Sequence, residues 1–184
     1  MTDSTPETGD RIGRYGLFVC YTFSMKHSLR YILLRAKLLR LLSPGHPADD
    51  ILFLDYDGVI NTDYTITEGA ILSRECLGNV SRLCLRFGLK IVVSSSWRSD
   101  PDHREYLYAY GLDPSVVILG KTKELNTSRS EEIRQYLYDH VYINRFIILD
   151  DNEIEGFERY QVKTDFEQGF DTEKYEEAVR MLMK

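Results

Sequence analysis

The stretch Ile51-Leu52-Phe53-Leu54-Asp55-Tyr56-Asp57-Gly58 decides how this chain reads. Four apolar residues in unbroken succession describe a strand buried on both faces. The run stops at a carboxylate, and a second follows two residues later. Residues i and i+2 of an extended chain project to one side, so Asp55 and Asp57 address one small volume. Gly58 permits a sharp turn away from it. Two carboxylates so close repel each other unless a cation sits between them, and a hard divalent ion, most simply Mg²⁺, takes oxygen ligands. The bland alternative is a pair of acidic residues capping a strand end. D-x-D-G also occurs in calcium loops, but this stretch lacks their further acidic positions and terminal Glu.

The same grammar recurs along the chain. Ile91-Val92-Val93 is a second buried strand, running into Ser94-Ser95-Ser96-Trp97-Arg98, and Phe146-Ile147-Ile148-Leu149 is another, ending in Asp150-Asp151. Residues 116–119 and 160–163 read as further strands. Between them, apolar residues recur at helical spacing over 73–87, with Gly88 as a stop, and helices are predicted over 102–110, 130–140 and 172–183. Glu131 and Glu132 lie in a first helical turn, where carboxylates favour the helix dipole. Strands alternating with helices imply an α/β, Rossmann-like, three-layer α/β/α sandwich around a mainly parallel five-stranded sheet. Ligands of such sheets bind beyond the carboxyl ends of the strands. Those ends carry Asp55/Asp57, Ser94–Ser96 and Asp150/Asp151.

Composition narrows the class. The 184 residues are 43% hydrophobic and 28% charged, which excludes collagen-like and disordered chains. No uncharged apolar run approaches the roughly 20 residues of a membrane-spanning helix. Three cysteines (Cys20, Cys76, Cys84) cannot all pair, and they read as buried thiols of a cytoplasmic protein. The net charge of -6 is uneven: residues 11–48 hold seven Lys/Arg and no Asp or Glu. The chain therefore divides into a basic and apolar extension with linker (1–48) and a domain (49–184). Residues 1–10 read as disordered, and 15–24 as apolar but too short to span a bilayer. Residues 28–42 read as a helix whose leucines nearly encircle its axis, which weakens a membrane-surface reading. Packing on the domain and dimerisation are other roles for 15–42, and Met25 is placed to start a shorter chain.

ILFLDYDGVIN (51–61), IVVSSSWR (91–98) and FIILDDN (146–152) resemble motifs I, II and IV of the haloacid dehalogenase-like (HAD) phosphohydrolase superfamily. SRSEEI (128–133) and V-x-T-D-x-x-x-G-F (162–170) resemble small bacterial and phage members of it. The resemblance runs from residue 51 to about 180 and implies a phosphatase. Asp55 would attack a phosphate ester and form an aspartyl-phosphate; Asp57 would act as general acid and then base. An Asp at position 57 goes with phosphatases and phosphotransferases, whereas dehalogenases lack it. Mg²⁺ would be held by Asp55, the backbone carbonyl of Asp57, and Asp151, with Asp150 beside it. Counting from Trp97, Ser95 is favoured as the hydroxyl that meets the phosphoryl group, with Ser94 second. The family's phosphate-binding cation would be Arg129, with Lys121 the rival. Arg98 would orient acidic loops or touch substrate, and Gly58 stands with Ser94, Lys121 and Arg98 at the substrate edge. Trp97 reads as core.

Only 36 residues separate Asp57 from Ser94, and 30 separate Arg98 from Arg129. One helix and one strand use up most of each interval, so no large cap domain fits. The site is expected to be open, covered only by a flap at 59–70; Tyr56, Asn61 and Tyr64 lie where it would meet substrate, and read equally as ordinary turn and packing residues. Capless members of the superfamily often act on macromolecular phosphates. The partner is thus a phosphorylated substrate, with nucleic-acid ends or nucleotides one alternative, and a non-catalytic phosphate-binding or interaction module the other.

Overall fold

A computed structural model of the chain describes residues 28–45, 47–67 and 69–184. The readings of residues 1–10 and 15–24, and those of Cys20 and Met25, lie outside them. Five strands, β1 (Asp49–Leu54), β2 (Leu89–Val93), β3 (Ile118–Lys121), β4 (Ile143–Asp150) and β5 (Gln161–Lys163), form one parallel sheet in the order β3-β2-β1-β4-β5. The described helices are α1 (Leu29–Leu42), α2 (Asp63–Thr67), α3 (Arg74–Phe87), α4 (His103–Ala109), α5 (Arg129–Asp139) and α6 (Thr172–Leu182).

Because β1, β2 and β4 are buried on both faces over their carboxyl-terminal halves, their residues alternate between two cores. Leu52, Leu54, Ile91, Val93 and Leu149 face α3 and α6, meeting Leu77, Val80, Leu83, Tyr175 and Ala178. Ile51, Phe53, Val92 and Ile148 face α5, meeting Ile133, Tyr136 and Leu137. This is the expected three-layer α/β/α sandwich, and no inserted cap domain occurs among the described residues. The strand order reverses around β1, so a crevice opens at its carboxyl end.

Local signals place the elements. Ser73 caps α3 by accepting from the Cys76 backbone N–H, and Gly88, in the left-handed region at φ +66°, closes it. The strand expected at 116–119 begins at Ile118 instead. Val116 is held in a turn by its N–H to the Asp113 carbonyl and by the Tyr108 hydroxyl donating to its own carbonyl, and it fills the core from there. The flap, read as loop, contains α2. Thr62 and Thr65 cap each other there, each hydroxyl accepting from the other's backbone N–H at 3.4 and 2.8 Å.

Helix α1 shares the second core. Ile32 and Ala36 are buried, and the Arg35 guanidinium donates to the Tyr138 carbonyl at 2.7 Å and lies over the Tyr138 ring. Leu34, Leu38, Leu41 and Leu42 are exposed. Cys76 and Cys84 are buried free thiols, and burial pushes Cys84 up to about 12. No helix of the described residues is long and apolar enough to cross a membrane.

Candidate active site

Parallel pairing decides what gathers at the carboxyl end of the sheet. Leu54 is in register with Val93 on one side and Leu149 on the other. The next residue on each strand is Asp55, Ser94 and Asp150. The Asp55 N–H donates to the Leu149 carbonyl and the Ser94 N–H to the Leu54 carbonyl, so the register continues through them. Each stands two residues beyond Phe53, Val92 or Ile148, and so projects on the face that α5 covers. Arg129 is the first residue of α5. Its guanidinium lies 3.2 Å from Asp55 Oδ2 and 3.1 Å from Asp150 Oδ2.

Carboxylate oxygens of Asp55, Asp150 and Asp151 lie within 4.8 Å of one another. Asp151 follows the strand and packs against Gly58, whose φ is +65°. A β-carbon on Gly58 would stand 2.5 Å from Asp151 Cβ, so this glycine is required by contact as well as by conformation. Burial, and then the charge of Asp55, raise the Asp150 carboxyl to about 7, with Arg129 pulling the other way. Asp151 is raised too, by burial first, then by Asp55 and Asp57. Crowded, hard oxygen donors that oppose one another's ionisation suit a divalent cation. The donor set therefore fits Mg²⁺.

Asp57 is partly buried, and its carboxylate stands apart from the other three. Trp97 Nε1–H donates to both of its oxygens at 3.0 Å, and Asn61 Nδ2 donates to Oδ1 at 3.0 Å. Of the serines, Ser94 Oγ is buried and makes no hydrogen bond within the protein. Ser95 Oγ accepts from the Trp97 N–H and caps the 3-10 turn Ser96–Ser99. The side chain brought into register with Asp55 is thus Ser94, whereas counting from Trp97 favours Ser95.

The two candidate cations part company. Arg129 reaches the carboxylates, while Lys121 Nζ donates to the Arg98 carbonyl at 2.7 Å. Arg98 is buried, not substrate-facing. It forms a two-pronged pair with buried Glu132 at 2.7 and 2.8 Å and donates to the Ser94 and Ser95 carbonyls. It ties the end of β2 to the first turns of α5. Tyr56 is wholly buried, its hydroxyl donating to the His103 carbonyl, whereas Tyr64 is exposed on α2. Gly169 allows the 164–170 loop to close on the flap: Phe170 N–H donates to the Val59 carbonyl, and a β-carbon on Gly169 would stand 2.6 Å from that oxygen.

The carboxylate cluster at the carboxyl ends of β1 and β4 fits a HAD-type active site. The model of the HAD domain in Swiss Army Knife RNA repair proteins matches residues 51–175. The chain belongs to this family of HAD phosphohydrolases. No curated protein and no solved structure matches it.

Proposed function

We propose that this chain is a Mg²⁺-dependent phosphomonoesterase that works through an aspartyl-phosphate, with a phosphorylated RNA terminus as its substrate. The observation that carries the reading is the meeting of Asp55, Asp150, Asp151 and Arg129 at the carboxyl end of the sheet. Asp55 is the nucleophile. Its Oδ1 accepts the Tyr56 backbone N–H at 2.8 Å, which fixes the carboxylate's rotation, and its Oδ2 lies towards Arg129. Arg129 and Ser94 Oγ would receive the phosphoryl oxygens, the guanidinium offering planar paired donors. Asp55, Asp151 and the Asp57 backbone carbonyl would hold the metal, with Asp150 beside them. Bound there, Mg²⁺ supplies charge neutralisation that lets an anionic nucleophile approach an anionic ester.

Asp55 attacks phosphorus as the ester oxygen departs with its bonding pair and takes a proton from Asp57. Asp57 then removes a proton from water, which attacks the aspartyl-phosphate and releases inorganic phosphate. An RNA end is favoured by the family's description and by the absence of an inserted cap domain among the described residues. The Cys76 and Cys84 thiols, buried and unpaired, suit a cytoplasmic setting.

The test is a panel with Mg²⁺: an aryl phosphate, 3′- and 5′-phosphorylated RNA and DNA, nucleotides, sugar phosphates and phosphopeptides. Turnover that is highest on RNA ends and is abolished in Asp55→Asn is expected. Equal rates for Asp55→Asn and wild type would remove the nucleophile. No turnover of any ester, with Mg²⁺ still bound, would favour a phosphate-binding module.

A further inference from the structure

Resting on this phosphatase reading, we propose that Trp97 and Asn61 are positioning residues that aim Asp57 Oδ2 at the leaving oxygen. A carboxyl on a single rotatable bond has no preferred edge. Here three hydrogen bonds give it one. Oδ1 accepts two of them, from Asn61 Nδ2 and from Trp97 Nε1, both at 3.0 Å. Among the described residues, Oδ2 accepts only the shared Trp97 bond, also at 3.0 Å. Oδ1 is therefore the more occupied acceptor, which leaves Oδ2 as the edge open to the leaving oxygen.

Both donors are themselves held. The Trp97 ring stacks on buried Tyr56, with centroids 5.4 Å apart and planes 19° from parallel, and meets Tyr106 edge-on. Asn61 Oδ1 lies 3.2 Å from the Thr65 hydroxyl, whose one proton it shares with the nearer Thr62 carbonyl at 2.6 Å, while its amide nitrogen faces Asp57. The Asn61 backbone is fixed in turn by its N–H to the Tyr56 carbonyl and its own carbonyl to the Gly58 N–H, both 2.8 Å. The aim of Asp57 is thus set by the flap and by the turn after β2 together.

The chemistry suits neutral donors. As the P–O bond breaks, its electron pair passes to the ester oxygen, which takes the proton from Oδ2. The carboxylate left behind keeps the indole and amide N–H groups. In the second half, Oδ2 accepts a proton from the attacking water. An indole and an amide can orient the carboxyl in either protonation state, and neither competes for the proton.

The leaving group tests this. A phenolate departs slowly unless protonated, whereas a dinitrophenolate departs without help. The parameter to compare is kcat/KM, which reports the step in which the leaving group departs. Trp97→Phe keeps an aromatic ring and removes the N–H. It is expected to lose roughly tenfold or more on phenyl phosphate and less than about twofold on dinitrophenyl phosphate. The benzothienyl analogue at position 97, with sulfur in place of N–H, carries the test where the phenylalanine does not fold. Trp97 is the only tryptophan, so the protein gives a single indole N–H resonance. That signal should move in Asp57→Ala.

An unmoved resonance, an equal loss on both esters, or no loss on either would overturn the positioning role. The two readings fail separately. An inactive wild type, or an unimpaired Asp55→Asn, removes the phosphatase and this role with it. An active wild type with leaving-group-independent losses removes the positioning role alone.

Discussion

Adding one methyl group to Gly58 should damage the proposed metal site more than the fold. The residue stands at φ +65°, where a β-carbon costs about 1–2 kcal/mol in backbone strain. The added carbon would also lie 2.5 Å from Asp151 Cβ and 2.7 Å from both its Cγ and its Oδ2, against ordinary contacts of 3.4–4 Å. Asp151 or the turn must therefore retreat by about 1 Å, at an overpacking cost of roughly 1–3 kcal/mol. Gly88→Ala is the internal reference. Its φ is +66°, yet nothing lies within 4 Å of the added carbon, so it carries the strain alone. Denaturant unfolding should show Gly58→Ala to be the more destabilised by the overlap alone. Mg²⁺ should stabilise wild type and Gly88→Ala against unfolding, and Gly58→Ala far less. A displacement of 1 Å at a reacting centre costs about 10²-fold in rate, so kcat/KM should fall on that scale in Gly58→Ala only. Equal destabilisation of the two variants, with Mg²⁺ binding and activity intact in both, would refute the argument that this contact places Asp151.

Arg129→Ala should lower kcat/KM by about 10²-fold or more, Arg129→Lys should retain part of it, and Lys121→Ala should cost less than about threefold; the reverse order would move the phosphate-binding role to Lys121. The raised Asp150 carboxyl predicts a pH dependence. The folded chain keeps a proton that the unfolded chain releases between about 4 and 7, so stability in chelator is full below that window and falls as pH rises through it. Asp150→Asn should flatten the slope, and a metal-free stability that rises across that range would contradict it. Glu132→Ala should cost about 3–5 kcal/mol in urea unfolding by leaving Arg98 buried and unpaired, while Arg98→Met with Glu132→Leu should recover much of the loss.

The layers were legible because continuous apolar runs ending in polar residues have few other readings. Asp55, Asp150 and Asp151 were legible for the same reason: a carboxylate directly after a doubly buried strand faces the ligand crevice. The serines were harder. Three adjacent serines differ only in strand parity: counting from Trp97 favours Ser95, whereas counting from the end of pairing at Val93 puts Ser94 beside Asp55. Arg98 stood beside a catalytic motif and read as orienting acidic loops or touching substrate, and the two could not be told apart because its partner Glu132 lies 34 residues further on and joins it only through the fold. Trp97 was read as core, and its ring is indeed packed on Tyr56. The direction of its one N–H has no signature in sequence, since it depends on how the turn after β2 meets the flap.

The extension before residue 49 shows how a pattern obscure in one dimension resolves in three. Leucines around the whole of α1 spoil a single amphipathic face, but the helix has two uses for its circumference. Ile32 and Ala36 enter the core beside α5, and Arg35 grips Tyr138 at the far end of the helix that begins with Arg129. Deleting residues 1–48 would thus expose part of that core, at about 2 kcal/mol or more for Ile32 alone, and loosen the helix that carries Arg129 and Glu132. A loss of RNA binding or activity on deletion would not separate contact with RNA from damage to α5. Arg30 and Lys37 do allow the separation, because they are the exposed basic residues of α1, whereas Arg35 and Arg40 carry its hydrogen bonds to the domain among the described residues. If the basic extension holds the RNA backbone, Arg30→Ala with Lys37→Ala should weaken RNA binding, flatten its salt dependence and leave the unfolding midpoint and aryl phosphate turnover unchanged. Unaltered RNA affinity across the salt series would leave α1 a packing element, its remaining charge unrelated to substrate.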